Sequence, residues 1–118
     1  MEFVVIKNND ENFNANGMFI RKFEPSLGIL HTSDVSLAQR FTSVDEAKQW
    51  LDRIQRRKPV PIKVSYQTIR LLVEVVEEID EIIYRELLRK CNYPEDVLEK
   101  MTDEECEGEC EILGLCNI

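Results

Sequence analysis

Hydrophobic positions along the chain fall into three spacings, and each predicts a different element. Phe3-Val4-Val5-Ile6 is continuous, β-branched and aromatic, so Phe3 to Lys7 is expected to open the fold as a strand. Met18 to Phe23 alternates, with Met18, Ile20 and Lys22 on one face and Phe19, Arg21 and Phe23 on the other, which predicts a second strand. Between them lies a polar connection, Asn8 to Gly17. It ends in Asn16-Gly17, a pair that tolerates positive φ and suits a hairpin. Glu24-Pro25-Ser26-Leu27-Gly28 has turn chemistry, and Ile29 to Thr32 forms a short third strand, so the chain begins as an antiparallel meander.

From Ser43 the spacing changes to three and four. Val44, Ala47, Trp50, Leu51 and Ile54 make one helical face, and Ser43-Val44-Asp45-Glu46 is a capping box. Asp45 and Glu46 stand at the positive end of that helix dipole, Arg53, Arg56, Arg57 and Lys58 at the negative end. Pro59 and Pro61 stop the helix, and Val60 to Ser65 is expected to return as a strand against the hairpin sheet.

Tyr66 to Lys90 reads as one long amphipathic helix. Ile69, Leu72, Val73, Val76, Ile79, Ile83 and Leu87 form its apolar stripe, while Arg70, Glu74, Glu77, Glu78, Glu81 and Arg85 lie on the far side. Ile69, Leu71, Val73 and Val75 also alternate as a strand would, so 69–76 is open to either reading; length and the charged face favour the helix. Cys91-Asn92-Tyr93-Pro94 breaks it. A short helix then runs from Pro94 to Met101, and Thr102-Asp103-Glu104-Glu105 repeats the capping-box pattern ahead of a last acidic helix toward Leu113-Gly114. The expected class is α+β: a small antiparallel sheet of about four strands, ββ(β)αβ, packed on one helix. The long helix and a short acidic helical extension follow, dividing the chain into 1–65 and 66–118 within one compact domain.

Charge sharpens that division. The chain of 118 residues has a net charge of -8. Residues 1–73 hold 11 Lys/Arg against 8 Asp/Glu, giving +3; residues 74–118 hold 4 against 15, giving -11. Such a surface repels nucleic-acid phosphates and anionic membranes, and it attracts basic proteins within about 8 Å in physiological salt. Direct nucleic-acid binding is therefore not expected. No apolar run nears the roughly 18 residues of a membrane span, and the opening residues lack a cleavage site, so the expected compartment is the cytoplasm.

Candidate chemistry is sparse. Cys91, Cys106, Cys110 and Cys116 could hold a tetrahedral zinc, but they lack paired C-x-x-C knuckles, and thiols in a reducing compartment are the favoured reading. Asn8, Asp10, Asn12, Asn14 and Asn16 alternate as calcium-loop ligands do. Ala15 stands where that loop needs glycine and Arg21 where it needs glutamate, which leaves a polar hairpin loop. His31 is the only histidine and has no adjacent nucleophile motif; no glycine-rich phosphate loop exists. An enzyme and a cofactor are not expected. Arg53, Arg56, Arg57, Lys58 and Lys63 form one basic cluster, best read as helix-dipole compensation and pairing with the chain's own acids.

The acidic run is the main binding candidate: Glu95, Asp96, Glu99, Asp103, Glu104, Glu105, Glu107 and Glu109. Closely spaced carboxylates can imitate a phosphate series and occupy a basic groove, and interleaved Val97, Leu98, Met101 and Ile112 could anchor the contact. Ala38-Gln39-Arg40-Phe41-Thr42-Ser43-Val44-Asp45-Glu46-Ala47, preceded by Phe3-Val4-Val5-Ile6-Lys7, resembles small accessory proteins of phages of Gram-positive bacteria over residues 2–64. That resemblance implies a non-enzymatic phage or mobile-element protein in a bacterial host cytoplasm, a class that includes anti-CRISPR and other anti-defence inhibitors. The expected partner is thus a basic, nucleic-acid-handling host protein. The alternatives are self-association as a homodimer through the helix 66–90, and a zinc-stabilised module.

Overall fold

A computed structural model describes residues 2–71 and 74–115. Among these the chain is α+β, with one five-stranded antiparallel sheet and four α-helices. Contacts divide it into two units, Met1–Ile82 and Ile83–Ile118.

The first unit holds strands β1 (Glu2–Asn8), β2 (Phe19–Glu24), β3 (Gly28–Thr32), helix α1 (Val44–Gln55), and strands β4 (Lys63–Arg70) and β5 (Glu74–Ile82), in spatial order β3-β2-β1-β4-β5. The meander appears as the sequence predicts. Its first turn closes with the Gly17 amide donating to the Asn8 carbonyl at 2.7 Å, and Gly17 takes φ of 85°, a conformation in which a Cβ would be strained. β1 pairs fully with β4, from Glu2 opposite Arg70 to Asn8 opposite Val64, and is therefore the central strand. That position explains its unbroken apolar run, since Phe3, Val4, Val5 and Ile6 are all buried. One face of the sheet gathers Phe3, Val5 and Ile69 with Ala38, and Phe19 and Val35 pack against them; Val35 belongs to a 3-10 turn, Val35–Leu37.

Helix α1 lies on the opposite face. Lys48 on α1 pairs with Glu81 at 3.2 Å and stands over the Tyr66 ring, and both of those residues share the face of Ile6 and Val64. Ala47, Leu51 and Ile54 are buried, and Trp50 meets Phe41 edge-on at 5.3 Å. Burying one such leucine stabilises by roughly 2 kcal/mol. Ser43 caps the helix by accepting the Glu46 amide at 3.1 Å. The carboxylate of Glu46 reaches one residue past the expected partner, taking the Thr42 amide at 3.2 Å and the Thr42 hydroxyl.

The long helix over 66–90 is corrected by the structure. Tyr66 to Arg70 belongs to β4, Glu74 to Ile82 forms β5 antiparallel to it, and only Tyr84–Lys90 is helical, as α2. The sheet accordingly has five strands rather than about four, and the division moves from 65/66 to 82/83 because β5 completes the sheet of the first unit. The physical reason lies in composition. Val64, Thr68, Ile69, Val75, Val76, Ile79 and Ile82 are β-branched, and such side chains lose rotamer freedom in a helix but pack well on a pleated surface. Leu71 turns the chain at φ of 55°, which a helical reading cannot accommodate. A bulge between Thr68 and Ile69, opposite Val76, also shifts the register, so the acids of β5 do not follow one simple alternation. Leu72 and Val73, two members of the expected stripe, lie outside the described residues.

The second unit contains α2, α3 (Glu95–Lys100) and α4 (Asp103–Ile112), with α2 packed against both of the others. Among the described residues, Ile83, Leu87, Leu88, Leu98, Cys106 and Cys110 are its buried apolar residues. α2 ends where the sequence predicts. Asn92 takes φ of 66°, and the Tyr93 amide closes back on the Leu88 carbonyl at 3.2 Å. Pro94 is the N-cap of α3, so the helix begins at Glu95, one residue after the start expected for it. α4 opens on the capping box read from the sequence: Thr102 accepts the Glu105 amide, and the Glu105 carboxylate accepts the Thr102 amide. It ends with Gly114 at φ of 73°. No helix among the described residues is long and apolar enough to cross a membrane.

Candidate functional site

The acidic residues named from the sequence lie on α3 and α4, and they split into two groups. Four are engaged within the second unit. Glu95 takes a two-pronged contact from Arg89, which also pairs with the buried Glu86. Hydrogen bonding to Arg89 holds the Glu95 carboxyl below the usual carboxylate range. Asp103 pairs with Arg85 at 2.9 Å, Glu105 completes the α4 cap, and Glu109 accepts the Tyr93 hydroxyl. That last bond pushes Tyr93 up to about 12.

The other four, Asp96, Glu99, Glu104 and Glu107, are exposed, and they make no side-chain hydrogen bond or ion pair among the described residues. On α4, Glu104 and Glu107 share a side with Glu111, three and four residues apart. That side is turned away from buried Cys106 and Cys110. Like charges at these spacings disfavour a helix by about 0.2–0.5 kcal/mol a pair. α4 has no basic residue in its last turn, so Glu109 and Glu111 face the negative end of its dipole uncompensated. The second unit as a whole has 4 Lys/Arg against 10 Asp/Glu, a charge of -6. A cationic surface laid against α4 would relieve this repulsion.

Arg85 is the residue the sequence misassigns. Expected on the charged far side of a long helix, it is buried, and its guanidinium donates to the carbonyls of Leu98 and Met101 as well as to Asp103. It thereby satisfies the last carbonyls of α3 and fixes the start of α4. Only the shortened helix shows why: within Tyr84–Lys90, Arg85 stands three residues before fully buried Leu88, on the same side.

The cysteines considered for zinc are placed differently from one another. Cys91 is exposed, Cys106 and Cys110 are buried, and Cys116 lies outside the described residues. Cys110 is held near the Tyr84 carbonyl at 3.7 Å, and burial pushes the Cys106 thiol up, which disfavours the thiolate a metal needs. Among the described residues no group of three or more His, Cys, Asp or Glu is placed to hold a metal ion. In the first hairpin Asp10 spends its carboxylate on the amides of Asn12 and Ile62, both at 2.9 Å, and Asn8 caps the Asp10 amide at 2.8 Å. The alternating polar residues thus order a loop. His31 is half-buried against Phe13 and within 3.3 Å of Asn8, and burial lowers its pKa. Of the basic cluster, Arg56 pairs with Asp52 one turn earlier on α1 at 3.5 Å.

Comparison with family models, with curated proteins and with solved structures finds no match for this chain.

Proposed function

We propose that the chain is a non-enzymatic acidic binding module that docks on the basic surface of a nucleic-acid-handling protein of a bacterial host and keeps nucleic acid from that surface. The observation that carries this reading is the uncompensated acidic side of α4 together with α3. Asp96 and Glu99 on α3 and Glu104 and Glu107 on α4 are exposed and without internal partners among the described residues, and α4 has no basic residue to balance its acids. Glu95, Asp103, Glu105 and Glu109, which are engaged internally, shape and hold these helices and form the rim of the surface. Exposed Val97 and Ile112 supply apolar contacts beside the charges, as a mixed interface requires. The phage-protein resemblance of residues 2–64 supports an anti-defence inhibitor as the specific class, acting in the host cytoplasm.

The test is affinity capture from a host lysate with the wild-type chain and with a Glu99→Lys, Glu104→Lys, Glu107→Lys variant. The expected result is a nucleic-acid-binding protein retained by the wild type, released by added salt, and lost from the variant. Retention that ignores both salt and charge reversal would reject the reading. Self-pairing through 66–90 as a helical stripe loses its premise, since Tyr66 to Arg70 and Glu74 to Ile82 lie in strands β4 and β5.

A further inference from the structure

β5 is an edge strand. It ends the spatial order of the sheet, nine residues long, and Glu74 through Glu78 together with Asp80 are exposed. Long edge strands present unpaired backbone groups and pair readily with another chain unless something prevents it. Here five of the nine side chains are acidic and none is basic, while Val75 is 50% exposed and Val76 36%. Leu71, at the turn before the strand, is 69% exposed.

The charges choose the occupant. A second copy added antiparallel would set two acidic strands against each other, and like charges opposite one another across a ladder are destabilising. A strand of opposite sign meets no such barrier, so the same residues that block self-pairing select for a basic partner. The faces of the strand differ as well. On one, Glu78 and Asp80 are turned onto Gln67 and Ser65 of β4. On the other, Glu74, Glu77 and Glu81 lie together by register, and Glu81 is held by Tyr66 and Lys48. Glu74 and Glu77 are exposed and make no side-chain hydrogen bond or ion pair among the described residues. They flank exposed Val75 and Val76, giving an apolar step bounded by two available carboxylates.

We propose that the outer edge of β5, over Glu74–Asp80, takes an extended basic peptide as a sixth strand of the sheet. Main-chain hydrogen bonds supply the affinity, and cationic side chains at alternate positions reach Glu74 and Glu77. β5 belongs to the first unit and the α3–α4 acids to the second, and the proposal does not rest on the function proposed for those acids.

The probe is an end-capped peptide alternating lysine with valine, titrated into the full chain and followed by amide exchange. A second peptide has the same sequence but is N-methylated along one edge, which keeps its charge and removes its ladder donors. The expected result is saturable binding that protects amides of Glu74–Asp80, weakened about tenfold or more by N-methylation, and by the Glu74→Lys, Glu77→Lys variant of the chain. The same binding is expected in a Glu99→Gln, Glu104→Gln, Glu107→Gln variant, which removes the other acidic surface. Absence of binding, protection elsewhere than on β5, or equal affinity of the N-methylated peptide would overturn the proposal. Binding lost in the Gln variant alone would overturn it too, by placing the peptide on α3–α4.

Discussion

Replacing Arg85 by methionine should loosen the second unit far more than removing the acid it pairs with. The Arg85 side chain is 7% exposed and the Asp103 side chain 87%. Arg85 donates to two main-chain carbonyls, those of Leu98 and Met101, as well as to Asp103. Hydrogen bonds from a charged donor contribute about 1.5–3 kcal/mol each, so the two carbonyl contacts together set an upper bound of roughly 3–6 kcal/mol. Against this stands the cost of burying the guanidinium, whose Nε has no hydrogen-bond partner among the described residues. Relief of one unsatisfied buried donor offsets about 1–3 kcal/mol. The net loss expected for Arg85→Met is therefore about 2–3 kcal/mol, with methionine filling most of the vacated volume. Asp103→Asn removes only an exposed partner and should cost at most about 1 kcal/mol. Amide exchange over residues 95–106, with urea denaturation alongside, reads both variants. Equal losses in the two, or an Arg85→Met loss below about 0.5 kcal/mol, would refute the assignment of Arg85 as the residue joining α3 to α4.

Three further outcomes are expected. Thr102→Ala removes the hydroxyl that caps α4 and should cost about 1 kcal/mol, seen as faster exchange in the first turn of that helix, with Thr102→Ser close to wild type. Alkylation mapped by mass spectrometry should modify Cys91 promptly and spare Cys106 and Cys110 until the protein unfolds, because Cys91 is exposed and burial raises the Cys106 pKa. Two titrations should move stability in opposite directions. The Glu95 carboxyl is depressed by Arg89, so its contribution is present above the unfolded carboxyl pKa and is lost as pH falls through the folded value. Tyr93 is raised to about 12, so its contribution is complete below the unfolded phenol pKa and is lost as pH rises through about 12; Glu109→Gln should bring that titration down, as followed by tyrosine absorbance.

Which parts of the molecule could be read from its sequence follows from the range of the forces involved. Ser43 and Thr102 act on amides three residues away, and both caps stand as the letters imply. The Asn16-Gly17 turn and the break at Asn92 are equally local, because each depends on one residue tolerating positive φ or standing next to one that does. Residues 69–76 are ambiguous because Ile69, Val73 and Val76 satisfy a helical stripe while Ile69, Leu71, Val73 and Val75 satisfy alternation. Pairing with β1, at the start of the chain, makes β4 a strand, no local window on the sequence contains that contact, and β5 follows by pairing with β4.

The acidic surface was legible in part for the same reason. Charge content alone marked residues 95–109, but it could not separate Glu95 and Asp103, which meet Arg89 and Arg85, from Glu99, Glu104 and Glu107, which meet nothing among the described residues. Those pairings depend on where α2 begins and ends. Arg85 falls among the solvated charges only on a helix extended back to Tyr66, whereas α2 starts at Tyr84.

The most direct measurement is the affinity of the captured host protein for the wild-type chain and for a variant carrying Asp96→Asn, Glu99→Gln, Glu104→Gln and Glu107→Gln, each at several salt concentrations. If outward-facing carboxylates of α3 and α4 do the binding, the variant binds at least about tenfold more weakly, its affinity depends less on salt, and it no longer displaces DNA from the partner. Affinities within about twofold of each other, with the same salt dependence, would contradict it.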